Sequence, residues 1–363
     1  MRTTVSFCLL LALAAGCSKQ PTGTSAVTNP QPPKQSFQGG RTPAALGRPA
    51  QVTLIETTEN RERGEIRAKS LSLLTAQQYD ELDTLARKYR SSKECYADGI
   101  WKLKEVYEGL VPDDNESDSR WERRLAAIRE WIKARPESIT ARVALADVLI
   151  SYAWKARGNG YANTVSQNGW NLFRERLKES VQVLNDSRNF KETCPRWWSN
   201  MLSASLGLGV DRQTYQAVFN EAVKAEPANA GYYLQMAHYL LPRWHGKPND
   251  IAVFLKSAAD QIGGDDGDVL YARVAWYLQG IEGNVFDERN LSWERADHGF
   301  QVLEKRFPDS PLVRNGRAYI AVIGCPKTLL PRRLVAGLNG KIDPKTWTSR
   351  ENFRRLTEDL FHG

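Results

Sequence analysis

The stretch Phe219 to Leu240, FNEAVKAEPANAGYYLQMAHYL, decides how the chain is read. Apolar residues recur at three- and four-residue spacings on both sides of Pro227, the pattern of a helix with one greasy face. Proline has no backbone N–H to continue a helix, whereas Asn229, two residues on, can cap the next one. The stretch therefore reads as helix, break, helix. The same punctuation recurs at Pro136-Glu137-Ser138 and at Pro308-Asp309-Ser310, each after one amphipathic run and before another.

Working outward, the stripes continue as Tyr79, Leu82, Leu85, Tyr89, then Trp121, Leu125, Ile128, Ile132. Trp170, Phe173, Leu177, Val181, Leu184 and Trp293, Ala296, Phe300, Leu303, Phe307 follow. Thr75 with Gln78, and Ser119 with Glu122, have the spacing of capping boxes and predict helix starts there. No long alternating run competes with them, so the fold class expected is all-α, built of stacked helical hairpins.

Proline-punctuated hairpins of this kind resemble tetratricopeptide repeats, with Ala222, Ala225, Pro227, Tyr232 and Ala237 in fitting places. That repeat has a period of about 34 residues, whereas the three prolines stand 91 and 81 residues apart. The expectation is a degenerate tetratricopeptide-like array, curved or compact, and not a regular solenoid.

Four segments are expected. Residues 1–16 have the build of a secretory signal: Arg2, an apolar run from Val5 to Leu13, then small residues before Cys17. The run is too short to span a bilayer. It resembles the bacterial lipobox, with Ala14 in place of the commoner leucine, and that resemblance implies lipidation at Cys17 and anchorage in a membrane. Ser18 after the cysteine resembles the pattern sent to the outer membrane of a double-membraned cell. Residues 17–65 read as a flexible tether, Ser-, Thr-, Gln-, Pro- and Gly-rich as far as about Pro49. Val52, Leu54 and Ile55 suit either a short strand or an early helix. Residues 66–335 form the helical domain, and 336–363 a C-terminal tail with one helix.

The chain carries a formal charge of +8, 41% hydrophobic and 25% charged residues, and 11 tryptophans. A sizeable core is expected, with tryptophans as fillers between helices. The bases alternate with acids as on solvated helix faces, which argues against nucleic acid as the partner. Beyond Cys8 and Cys17, three cysteines remain. Cys194 and Cys325, each preceding a proline, are the pair to test as a disulfide, with free buried thiols as the alternative.

Three blocks stand out from this background: Ala97-Asp98-Gly99-Ile100-Trp101-Lys102-Leu103, Tyr152 to Ala162 (YAWKARGNGYA), and Leu240 to Gly246 (LLPRWHG). Together they resemble the bacterial family called domain of unknown function 4034, over roughly residues 75–290. The resemblance implies a helical domain and no activity. In these blocks Trp154 and Arg157 share a helix face that Gly158 would end, and Gly160 completes a tight turn. Pro242 would set Arg243 and Trp244 on a second turn. If the two ends converge, they make an aromatic, guanidinium-lined recess able to stack a sugar or peptide group. Otherwise the tryptophans pack helix ends and the arginines bond terminal carbonyls.

No catalytic pattern emerges. The four histidines, His238, His245, His298 and His362, form no zinc signature. Gly207-Leu208-Gly209 lacks the third glycine and the preceding strand of a dinucleotide loop. Asp113, Asp114, Glu116 and Asp118, and Asp265, Asp266 and Asp268, read as loop acids without the spacing of a calcium loop. No cofactor or metal is expected. The functional expectation is an envelope-anchored, non-catalytic scaffold for a protein or peptide. The alternative is a glycan- or small-molecule-binding protein, or a hydrolase, using the Trp/Arg recess.

Overall fold

In a computed structural model of the chain, Pro49 and residues 51–361 are described; the leader, Cys17 and the first part of the tether lie outside the described residues. The chain is all-α. After a two-residue strand β1 (Thr53–Leu54) come α1 (Thr58–Thr75), α2 (Tyr79–Ser92), α3 (Leu103–Glu108), α4 (Asp118–Ala134) and α5 (Ile139–Arg157). The middle holds α6 (Gln167–Asp186), α7 (Pro195–Leu208), α8 (Arg212–Ala225), α9 (Ala230–Tyr239) and α10 (Asp250–Ile262). Then follow α11 (Gly264–Glu282), α12 (Val285–Glu288), α13 (Trp293–Arg306), α14 (Pro311–Gly324) and α15 (Leu329–Gly337). β2 (Lys341–Ile342), α16 (Pro344–Trp347) and α17 (Arg350–Thr357) complete the order.

The helices make two kinds of layer. α5, α7, α9, α11 and α14 stack on one another in sequence, while α6, α8, α10 and α13 pack beside them as return helices. Composition assigns each helix to its layer. The return helices keep one apolar stripe, such as Phe173, Leu177 and Leu184 on α6, or Ala296, Phe300 and Leu303 on α13. By contrast, α9 is buried along its whole length, and α5 from Ile139 to Ala153 except for the half-buried Arg142. A helix that is mostly apolar on every side has little solvent face, and the middle of the stack is where it can go.

The punctuation behaves as read. Ser138, Asn229 and Ser310 each cap the helix after their proline, accepting from Ala141 N, Gly231 N and Val313 N at 3.0, 3.0 and 3.3 Å. Ser310 is fully buried, so the Ser310→Ala protein is expected to lose ~1–2 kcal/mol in urea denaturation. An unchanged midpoint would show that the hydroxyl contributes nothing.

Several boundaries fall elsewhere than expected. Thr75 ends α1 rather than starting a helix, and its Oγ1 donates back to Leu71 O at 2.8 Å. Ser119 lies inside α4, whose N-cap is Ser117. Asp265, Asp266 and Asp268 belong to the first two turns of α11, not to a loop. There they favour the helix dipole and pair with Arg306, Arg295 and His298.

The expected tether, 17–65, overlaps structure at its end. β1 pairs in parallel with β2, Thr53 opposite Lys341, and α1 begins at Thr58. Helix α1 escaped detection because its N-terminal half has no apolar stripe; ion pairs of buried Arg63 hold it. The expected tail, 336–363, is more than one helix. Trp347 and Phe353, both fully buried, give it a small core of its own with Val335, Leu338 and Ile342. The cysteine pair does not form: Cys194 and Cys325 are both free thiols. Cys194 lies in the N-terminal core with Sγ 3.2 Å from Tyr107 Oη, whereas Cys325 follows α14 beside Thr328.

Candidate functional site

The two Trp-Arg segments do converge, though not as a single recess. Trp154, on the last turn of α5, meets Trp244 edge to face with centroids 5.8 Å apart. Trp154 also packs against Phe173 of α6. The arginines turn away from this contact. Arg157 lies 5.9 Å from the Trp154 ring and 5.7 Å from Trp170, and donates to Gly158 O and Gly160 O at 3.0 and 2.8 Å. It therefore ties down the carbonyls that follow its own helix. Arg243 is exposed and reaches the buried carboxylate of Glu282 at 3.3 Å.

Two glycines explain the shape of these turns. Gly158 ends α5 with φ +69°, a region that L side chains rarely adopt. At Gly246 a side chain would collide with the Leu240 carbonyl, because the turn folds back on α9 through His245 N to Tyr239 O and Gly246 N to Leu241 O. These blocks are local wraps of helix ends. Their glycines serve backbone geometry, and no neighbouring atom lies close to Gly158 on its open side.

Of the six expected residues, Trp154 lines a cavity from which the other five are absent. That cavity, of about 80 Å³, opens between α3, α5, α7 and α9 at the seam of the two main cores. Its polar lining was not recognised as a site in the sequence. Asp147 of α5, 4% exposed, accepts from Arg196 Nε and Nη2 at 2.8 Å each. The same guanidinium reaches Glu108 at 3.3 Å, and Lys104 stands 3.6 Å from Glu108. Burial pushes the Asp147 carboxyl above the usual aspartate range, against the pull of Arg196.

On the α9 side Gln235, 6% exposed, donates Nε2 to Ser199 O at 2.8 Å and to Ser203 Oγ at 2.7 Å. Its Oε1 is buried and has no hydrogen-bond partner, nor has the Lys104 ammonium. The cavity therefore balances two cations against two carboxylates, with Gln235 Oε1 and the Lys104 ammonium lacking hydrogen-bond partners. The signal was present in the chain as polar residues inside apolar runs: Asp147 within VALADVLI, Gln235 within YYLQMA. Only their meeting in space marks them as a site.

The third block ties this wall to α1 and α11. Asp98 is buried and accepts from Arg63 Nη2 at 2.5 Å and from Ile100 N at 2.9 Å. Arg273, from distant α11, donates to its main-chain oxygen at 2.9 Å. Trp101, three residues on, lines the cavity.

Residues 66–189 match the family described as Domain of unknown function (DUF4034). The matched span is shorter than the roughly 75–290 expected from the three blocks, although it starts earlier. It includes Trp101, Asp147, Trp154 and Arg157 and excludes Arg196, Gln235, Arg243 and Trp244. The DUF4034-matched segment thus supplies the α3 and α5 walls of the cavity, and helices beyond it supply the other two. Neither the curated proteins nor the solved structures searched include a match. Among the described residues no group of three or more His, Cys, Asp or Glu side chains is placed to hold a metal ion. No helix among them is long and apolar enough to cross a membrane.

Proposed function

We propose that the protein is a non-catalytic binding module that takes an extended peptide segment, one of whose side chains enters the cavity between α3, α5, α7 and α9. The observation that carries this reading is that buried cavity with Gln235 Oε1 unsatisfied. A buried acceptor without a partner costs about 1–3 kcal/mol, which an incoming donor would recover. The volume of about 80 Å³ is far below the ~300–1,000 Å³ of drug-sized ligand sites. It suits one side chain or a few waters better than a whole sugar. Tetratricopeptide-like packing supports the same use: α7, α9 and α11 begin at Pro195, Ala230 and Gly264, 35 and 34 residues apart.

A hydrolase has one observation in its favour, because Asp147 and Glu108 line the same cavity. Against it, Arg196 bridges both carboxylates. The N-terminal resemblance to a lipobox supports placing the module on a bacterial envelope membrane, the outer one in a double-membraned cell, through lipid on Cys17. Loss of metabolic palmitate labelling in Cys17→Ala is expected there; undiminished labelling would remove the anchor.

The binding reading is tested by panning a random heptapeptide display library on the full-length chain. Enriched peptides are expected to bind the Gln235→Leu and Trp154→Ala proteins at least about tenfold more weakly, one buried hydrogen bond being worth ~1–1.5 kcal/mol. Peptides that bind all three proteins equally, or no enrichment, would remove the cavity from the function. Turnover of chromogenic glycosides that vanishes in Asp147→Asn would replace binding with hydrolysis.

A further inference from the structure

The chain's surplus of positive charge is not spread evenly. Between Pro326 and Thr357 stand eight bases, Lys327, Arg332, Arg333, Lys341, Lys345, Arg350, Arg354 and Arg355, against two acids. That is a surplus of six in a chain whose total is +8. One of the acids, Asp343, is 1% exposed and occupied by Thr346 N and Oγ1. Only Glu351 stands among the bases on the surface, with Glu358 and Asp359 following them.

Several arginines of the neighbouring helices are paired: Arg295 with Asp268, Arg306 with Asp266, Arg317 with Asp297 and Glu304. Lys327, Arg333 and Arg350 have no ion-pair partner among the described residues. α15 and α17 pack their apolar sides on the same small core, which turns their polar sides outward at the end of the array. Leu329 and Arg333, one turn apart on α15, are both exposed, Leu329 by 63%. The polypeptide also enters the fold here, because β1 pairs with β2 and Thr53 donates to Gly340 O at 2.8 Å.

We infer that this basic C-terminal cap is a docking face for an anionic phospholipid bilayer. The charge is complementary, and each base near such a surface adds about 1 kcal/mol of attraction, fivefold in partition. Leu329 is positioned to enter the headgroup layer between Lys327 and Arg333. The inference does not depend on peptide binding in the cavity, nor on lipid at Cys17.

The test is co-sedimentation of the full-length chain with vesicles, phosphatidylglycerol–phosphatidylcholine against phosphatidylcholine alone. The readout is the ratio of the two partition coefficients, in which any contribution of the apolar leader cancels. Wild type is expected to prefer the anionic vesicles, with the preference falling as salt is raised. The triple variant Lys327→Glu, Arg333→Glu, Arg350→Glu should lower that ratio by more than about 100-fold, since each change removes an attraction and adds a repulsion. Glutamine at the same three positions should lower it on the order of 100-fold, which guards against a folding defect. Lys178→Glu, Lys224→Glu, Lys305→Glu makes the same change in net charge on other helices and should leave the ratio within about threefold of wild type. Equal losses in the two glutamate triples, or no anionic preference in wild type, overturns the inference. So does tight binding of soluble polyphosphate without vesicle binding, which would point to a soluble polyanion.

Discussion

Replacing Arg63 with methionine is expected to destabilise the protein by about 3–5 kcal/mol, a fall in melting temperature on the order of 10 °C. The guanidinium is 5% exposed and bridges two carboxylates with even less access to water, Asp98 at 2.5 Å and Glu105 at 2.8 Å. Methionine keeps most of the volume but leaves those charges in low dielectric with fewer partners. For a buried pair the loss of one member costs far more than the pair is worth, because the survivor cannot return to water. Arg67, 2.5 Å from Glu105, softens the effect on that side. Asp98 would keep the Ile100 amide and the nearby charge of Arg273, but no other guanidinium hydrogen-bonded to its carboxylate among the described residues.

The same cluster gives the effect a pH signature. Burial pushes Glu105 upward, but Lys104, Arg67 and Arg63 together outweigh it and hold the carboxyl below the usual glutamate range. A depressed carboxyl stabilises the fold above the unfolded pKa and loses that contribution as pH falls through its folded value. The Arg63→Met protein should therefore lose less stability than wild type on acidification. Parallel acid-denaturation curves for the two proteins, or a cost under about 1 kcal/mol at neutral pH, would mean that the bridge is not holding α1.

The second large effect lies at His238. Burial, reinforced by the charge of Arg243, lowers this imidazole to about 3. It is 5% exposed, with Nδ1 2.7 Å from Tyr277 Oη and its ring 5.6 Å from that of Trp244. In the unfolded chain it should titrate near 6.5. Folding then expels a proton at any pH between the two values. The fold keeps its full stability above pH 6.5 and loses it progressively below, down to the folded value. At ~1.4 kcal/mol per pH unit, about 2–3 kcal/mol should vanish between pH 6.5 and pH 4.5. Asparagine places an amide oxygen near the position of Nδ1 and does not titrate. His238→Asn should therefore flatten the stability profile in that interval by this amount. Arg243→Gln should flatten it in part, by letting the imidazole titrate higher. A profile unchanged in His238→Asn would show that other groups set the acid limb.

How much of this was legible before folding varies from element to element. The return helices were visible because each must present one apolar stripe to the stack and a polar side to water. The hairpin breaks were visible because proline and a following Ser or Asn are local chemistry, and all three caps formed. By the same logic α1 was missed: its N-terminal half is held by charge pairs that span 35 and 42 residues of sequence, to Asp98 and Glu105. The C-terminal tail was underrated because two residues, Trp347 and Phe353, anchor it without any long periodic run.

The candidate site divides along the same line. Trp154 and Trp244 attracted notice as unusual residues beside helix breaks, and they touch. Their arginine neighbours, equally conspicuous, satisfy helix-end carbonyls and a buried glutamate instead. The residues that line the cavity, Asp147, Arg196 and Gln235, are single polar positions in three separate helices, none exceptional within its own window.

What the chain determined by itself was its helix content, its breaks and the division into striped and wholly apolar helices. These depend on neighbours within a turn or two, where spacing and side-chain chemistry are enough. The closure of β1 on β2, the Arg63 bridge and the meeting of the cavity polar groups were decided only in three dimensions. Each pairs groups tens to hundreds of residues apart. Their energies come from desolvation and direct contact, quantities that exist only once the helices have been placed side by side.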